Sequence, residues 1–178
     1  MKTNPIILLC GAAGSGKDTA ASFIKELVPN TVTVAQADAL KELGRDLFTF
    51  TQDQLWGPSE SRNAPDGRYD TEEKWNLVYD ALPVTGIKWL QSVGLEGNWT
   101  NLLAWLNQLS RDTFKSGKPL TPRYMLQTLG TEFGRSVSPD VWSNIALRKA
   151  RELLRTGGAD LVIITDGRFK NEILNARA

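Results

Sequence analysis

An α/β fold with helices on both faces of a parallel sheet is the architecture this sequence predicts, and three observations point to it. The runs Ile6-Ile7-Leu8-Leu9-Cys10 and Leu161-Val162-Ile163-Ile164-Thr165 have the unbroken apolar character of strands covered on both sides. Amphipathic helical patterns follow the first run and precede the second, so that strands alternate with helices. At 178 residues, with 41% hydrophobic and 23% charged, the chain has a globular composition and the length of one domain, which excludes disordered, collagen-like and coiled-coil classes.

The first strand, Pro5 to Cys10, stops at glycine. From Gly16 a helix is predicted on the recurrence of Ala20, Phe23, Ile24 and Leu27, ended by Pro29-Asn30. Thr31 to Val34 reads as a second strand and Asp38 to Phe50 as a helix carrying Leu40, Leu43 and Leu47. Residues 52–120 change texture, with frequent Gly, Pro, Asn and Trp, and are predicted to form an irregular helical insertion whose best helix is Thr100 to Leu109. Five of the six tryptophans fall between Trp56 and Trp105, where core packing is the bland expectation and base stacking the sharper one. Thr121-Pro122 and Ser138-Pro139 both read as an N-cap followed by proline at the first helical position. The second of these helices is expected to end at Gly157-Gly158, just before the strand that closes at Asp166. Residues 1–178 are thus read as one domain, with no linker long enough to separate two.

Charge and composition narrow the chemistry. Lys and Arg number 21 against 20 for Asp and Glu, too balanced a field to hold a nucleic-acid backbone, so small molecules are the expected partners and nucleic acid is not. No apolar run reaches the ~20 residues of a membrane span, and the N-terminus lacks a signal-peptide pattern; the expectation is a soluble, cytoplasmic protein without a membrane partner. With no histidine, triads and Cys-His dyads are excluded. The single cysteine, Cys10, is expected to be a small buried residue without a paired base.

Gly11-Ala12-Ala13-Gly14-Ser15-Gly16-Lys17 fits G-x-x-x-x-G-K between an apolar strand and an amphipathic helix, the context of a phosphate-binding P-loop. Glycines let successive N–H groups turn toward phosphate oxygens, the helix start adds partial positive charge, and Lys17 adds a full one. Asp18 stands where a hydroxyl usually faces magnesium, with Thr19 next; Asp18 is read either as an ion ligand or as an acidic residue favourable to the first helical turn. Asp166, ending a strand, is read as the carboxylate that meets the metal or as a turn former. Arg168 is a phosphate fork or an ion pair with Glu172. Arg123 in a first helical turn, and more weakly Arg135, Asp38 and Lys41, are candidate acceptor-binding groups or solvated charges.

Gly14-Ser15-Gly16-Lys17-Asp18-Thr19 with Ala20 to Ile24 resembles the phosphate loop and first helix of bacteriophage deoxynucleoside monophosphate kinases. The likeness continues in Arg123 to Glu132, in Trp142 and its helix, and in Asp166-Gly167-Arg168 with Asn171-Glu172. The resemblance implies a P-loop NTPase three-layer fold and transfer of the ATP γ-phosphoryl group to a deoxynucleoside monophosphate. In that scheme Gly11 to Thr19 and Lys17 hold ATP, and Asp18, Thr19 and Asp166 hold Mg²⁺. Lys17, Asp166 and Arg168 are then catalytic, Arg123 and Arg168 clamp the acceptor phosphate, and Asp38, Lys41 and residues 52–120 line the acceptor pocket. It further implies strands and a lid after Asp166-Gly167-Arg168, so the chain is expected to be truncated and weakly active alone. The alternatives are a P-loop kinase of another phosphorylated acceptor, of dephospho-coenzyme A or phosphomevalonate type, a non-catalytic nucleotide-binding remnant, or a nucleic-acid-dependent ATPase, which the charge balance disfavours. A homodimer is a possible assembly.

Overall fold

The computed structural model describes residues 6–12 and 14–167; Ala13, Arg168, Asn171 and Glu172 lie outside the described residues. Along the chain come β1 (Ile6–Cys10), α1 (Lys17–Leu27), β2 (Thr31–Val34), α2 (Asp38–Phe48), α3 (Gln52–Trp56), α4 (Ser59–Asn63), α5 (Glu72–Ser92) and α6 (Trp99–Asp112). After them come α7 (Pro122–Thr128), a π-helical turn over Leu129–Phe133, α8 (Gly134–Val137), α9 (Val141–Arg155) and β3 (Leu161–Gly167). Two compact units result, one made of the residues up to Asp38 together with those from Asp140, the other Ala39–Pro139.

In the first unit three parallel strands lie in the order β1-β3-β2, so the last strand in sequence is the central one. Side chains alternate across the sheet as the strand period requires. Ile6, Leu8, Val32, Val34, Val162 and Ile164 pack on one face with Ala146, Leu147, Ala150 and Leu154 of α9. On the other face Ile7, Leu9, Leu161 and Ile163 meet Ala21 and Ile24 of α1. Three layers follow, with β3 buried on both sides; Val162 and Ile163 are fully buried. β1 pairs only with β3 among the described residues, which leaves it half-buried at an edge of the sheet. Cys10, expected to be buried, is exposed at the end of that edge strand, whose pairing among the described residues is with β3 alone.

The second unit has its own core. Phe48, Phe50, Tyr69, Trp75 and Trp105 stack and tilt against one another with ring centroids 5.6 to 6.3 Å apart, and Trp75, Trp89 and Trp105 are buried. Three of the five clustered tryptophans are therefore core. Trp56 is more open, and the Lys41 ammonium lies 5.3 Å from its ring centroid. The longest helix, α5, contains Pro83, a breaker that hides the helix from pattern reading although Trp75, Val78, Leu82 and Trp89 recur at helical spacing. This unit extends beyond residues 52–120 on both sides, to Ala39 and Pro139.

Thr121 caps α7 as read, its hydroxyl accepting from the Tyr124 N–H at 3.1 Å, with Pro122 first in the helix. The second proline signal needs correcting. Ser138 ends α8 with extended backbone and Pro139 sits in a turn, so α9 starts at Val141 with Asp140 at its N-cap. The Ser138 N–H donates to Gly134 O at 2.9 Å and closes α8, while the first turn of α9 runs from the Asp140 carbonyl, which accepts from the Asn144 N–H at 2.9 Å.

Candidate functional site

The loop between β1 and α1 is shaped by its glycines. Gly14 and Gly16 hold φ of +75° and +82°, in the left-handed region that costs other residues ~1–2 kcal/mol, and a side chain's first carbon there would meet nothing within 4 Å. Gly16 is the N-cap of α1 and has no side chain to satisfy the first N–H groups of the helix, so those donors face outward uncapped. Lys17 folds back across the loop: its Nζ donates to Gly11 O at 2.8 Å, Ala12 O at 2.6 Å and Ser15 Oγ at 3.4 Å. An ammonium, helical amides without a side-chain cap and open glycines thus share one turn, the elements of an anion site. Asp18 and Thr19 are exposed on the first turn of α1 beside it.

Adjacent strand ends bring Asp166 near this loop in the sheet. The Gly11 N–H donates to Gly167 O at 3.3 Å, continuing the β1–β3 pairing beyond Cys10. Gly167 is buried there for a reason of space: a first side-chain carbon on it would lie 2.8 Å from both Cys10 Sγ and Leu8 Cδ1. Between Leu8 and Cys10 the register shifts, Leu8 pairing with Ile164 but Cys10 with Gly167, so β3 carries one extra residue. A bulge of this kind re-aims side chains, and the Asp166 carboxylate points toward the end of β2. Its Oδ1 accepts from the Gln36 N–H at 2.8 Å and its Oδ2 from the Ala37 N–H at 3.1 Å. Burial pushes its carboxyl above the ordinary carboxylate range, opposed by these two amides and reinforced by the charge of Asp38. Asp38 is also engaged, its Oδ2 accepting from the Ala35 N–H at 2.9 Å.

Lys41, Arg123 and Arg135 belong to the second unit. Arg123, in the first turn of α7, and Arg135, in α8, are exposed and make no hydrogen bond or ion pair among the described residues. Arg168 is outside the described residues. The Ala35–Asp38 turn was not legible in sequence as part of the site, because its partner Asp166 lies 130 residues away and leaves no local signal. Among the described residues no three acidic or thiol groups converge, and no helix is long and apolar enough to cross a membrane.

The chain is 26% identical over 175 residues to a protein of Acanthamoeba polyphaga mimivirus named "Putative deoxynucleotide monophosphate kinase". The match takes in 94% of this chain and 65% of that relative, so the chain spans just under two thirds of the relative's length. No family model matches, and no solved structure matches. The similarity supports a nucleotide-kinase-like relationship and does not single out the bacteriophage enzymes.

Proposed function

We propose that this chain is a P-loop nucleotide kinase that transfers the γ-phosphoryl group of ATP to a deoxynucleoside monophosphate. The observation that carries the reading is the Lys17 loop, where an ammonium, positive-φ glycines and an uncapped helix start meet between a parallel strand and its crossover helix. The printed name of the viral relative supports the same class of reaction.

The residues fit a polyphosphate. Outward amides at the start of α1 and the Lys17 ammonium, once released from the Gly11 and Ala12 carbonyls, hold the donor's β and γ oxygens. Asp18 and Thr19, exposed beside the loop, are the side chains that would hold Mg²⁺, whose chemistry is to neutralise phosphate charge. In the transfer an oxygen of the acceptor monophosphate bonds to the γ phosphorus while the bond from that phosphorus to the β-bridging oxygen breaks, leaving ADP and a deoxynucleoside diphosphate. The attacking oxygen is already ionised, so no general base is required, which suits a chain without histidine. The work is positioning and charge stabilisation: Lys17 on the developing charge, Arg123 and Arg168 on the acceptor phosphate, and Asp38 and Lys41 beside the acceptor.

The test is a panel of the four common deoxynucleoside monophosphates with ATP and Mg²⁺, scored by acceptor-dependent ADP release. Release with at least one acceptor, reduced at least 100-fold in Lys17→Ala, is expected. Absence of release with every acceptor, or undiminished release by a folded Lys17→Ala protein, overturns the proposal.

A further inference from the structure

We infer that Asp166 is a positioning residue that locks the turn at the head of α2, rather than a ligand of the metal; this rests on the kinase reading for its effect on the acceptor, though not for the lock itself. Three consecutive backbone N–H groups, those of Ala35, Gln36 and Ala37, converge on two carboxylates, with Asp38 taking the first and Asp166 the second and third. Successive amides of this kind form a concavity that ordinarily receives an external anion. Here the protein fills it with its own carboxylates.

The bulge in β3 sets this up. Up to Ile164 the strand alternates regularly, facing α9 with Val162 and Ile164 and α1 with Ile163. The extra residue before Gly167 breaks that alternation at Asp166, and the carboxylate then meets the β2 end. Among the described residues neither Asp166 nor Asp38 has a lysine or arginine at ion-pair distance, so the amides are the partners that hold Asp166 in place. Withdrawing a carboxylate from water even in part without a cation is costly, and a backbone N–H donated to each oxygen of the half-buried Asp166 offsets part of that cost. What the lock holds is the turn that leads into α2, and with it the candidate acceptor group Asp38, whose Oδ2 accepts from the Ala35 N–H of the same turn.

A strand-end carboxylate serving a metal and one serving this turn predict different losses. Asp166→Asn keeps one acceptor but sets an amide NH₂ against a backbone N–H, so the turn should loosen while the loop stays intact. The experiment uses the full chain, comparing wild type with Asp166→Asn and Asp166→Ala. It measures amide hydrogen exchange at Gln36 and Ala37, the Mg²⁺ dependence of binding of a fluorescent ATP analogue, and the acceptor KM and kcat. The lock predicts exchange at those two amides at least tenfold faster, acceptor KM raised about tenfold with a smaller change in kcat, and Mg²⁺ dependence within twofold of wild type. If Asp166→Ala does not fold, Asp166→Asn decides alone. Unchanged exchange at Gln36 and Ala37, or loss of the Mg²⁺ dependence, overturns the inference. If wild type transfers no phosphoryl group, the kinase reading fails, and the exchange and Mg²⁺ readouts still judge the lock.

Discussion

Lys17 spends its ammonium on the carbonyls of Gly11 and Ala12, so in this state it stabilises the loop it would serve. The glycines are more restrictive. Gly16 sits at φ +82°, and replacing it with alanine adds a strained left-handed residue at about 1–2 kcal/mol and places a methyl group where an anion would approach. Gly16→Ala is therefore expected to lower unfolding free energy by that amount in urea titrations while weakening ATP-analogue binding at least tenfold. Binding at wild-type strength would show that the loop does not hold the phosphates. The G-x-x-x-x-G-K spacing made this loop legible, because its shape depends on residues that are neighbours in sequence. Asp166 was legible only as a strand-end carboxylate, since the direction of its side chain depends on a bulge against β1 and on amides from β2. Cys10 failed as a core residue for a related reason: burial at a strand end depends on which strand lies alongside.

Elements were readable where their signals are local. The α7 cap follows from Thr121-Pro122, whereas Ser138-Pro139 carries the same letters but is taken up in closing α8. Pro83 masked α5, whose stability comes from burying Trp75, Val78, Leu82, Trp89 and Leu90 rather than from propensity. The segment leading into α5 depends on one buried acid. Asp66 accepts from Gln54 Nε2 at 2.9 Å and from Arg68 Nε and its second terminal nitrogen at 2.9 and 2.6 Å, while its own N–H donates to Leu120 O at 2.8 Å. Burial alone would raise its carboxyl, but the Arg68 and Gln54 hydrogen bonds outweigh that and hold it below its ordinary value of 3.8. A depressed folded-state value means the unfolded chain takes up the proton first as pH falls. The stabilisation is thus complete above the ordinary value and lost as pH drops through the lowered one. Asp66→Ala is expected to cost about 2–3 kcal/mol at pH 7, and the gap to wild type should close in strongly acid solution. A gap that persists unchanged as pH falls would assign the loss to packing instead.

At the scale of the whole chain, connectivity separates two folding problems. Ala39–Pro139 is continuous and carries an aromatic core, whereas the sheet unit cannot form until β3, from the far end, enters between β1 and β2. Closing a flexible loop of roughly a hundred residues costs about 4 kcal/mol of chain entropy, and folding of the inserted unit first replaces that flexible loop by a fixed span. Sequence could indicate the strands and an insertion, but where the insertion begins and ends is decided by packing on both sides of it. The units also report separately, because five of the six tryptophans lie in the inserted one and Trp142 lies in α9. Ile163 is fully buried in the central strand, and Ile163→Ala should remove about 2–5 kcal/mol from the sheet unit. In urea, the exchange of β3 amides should then lose protection at lower denaturant than in wild type, while the tryptophan fluorescence midpoint moves by less than a quarter as much. If both signals shift together by the same amount, the two units unfold as one cooperative body, and the insertion is part of the sheet's stability rather than a unit hung upon it.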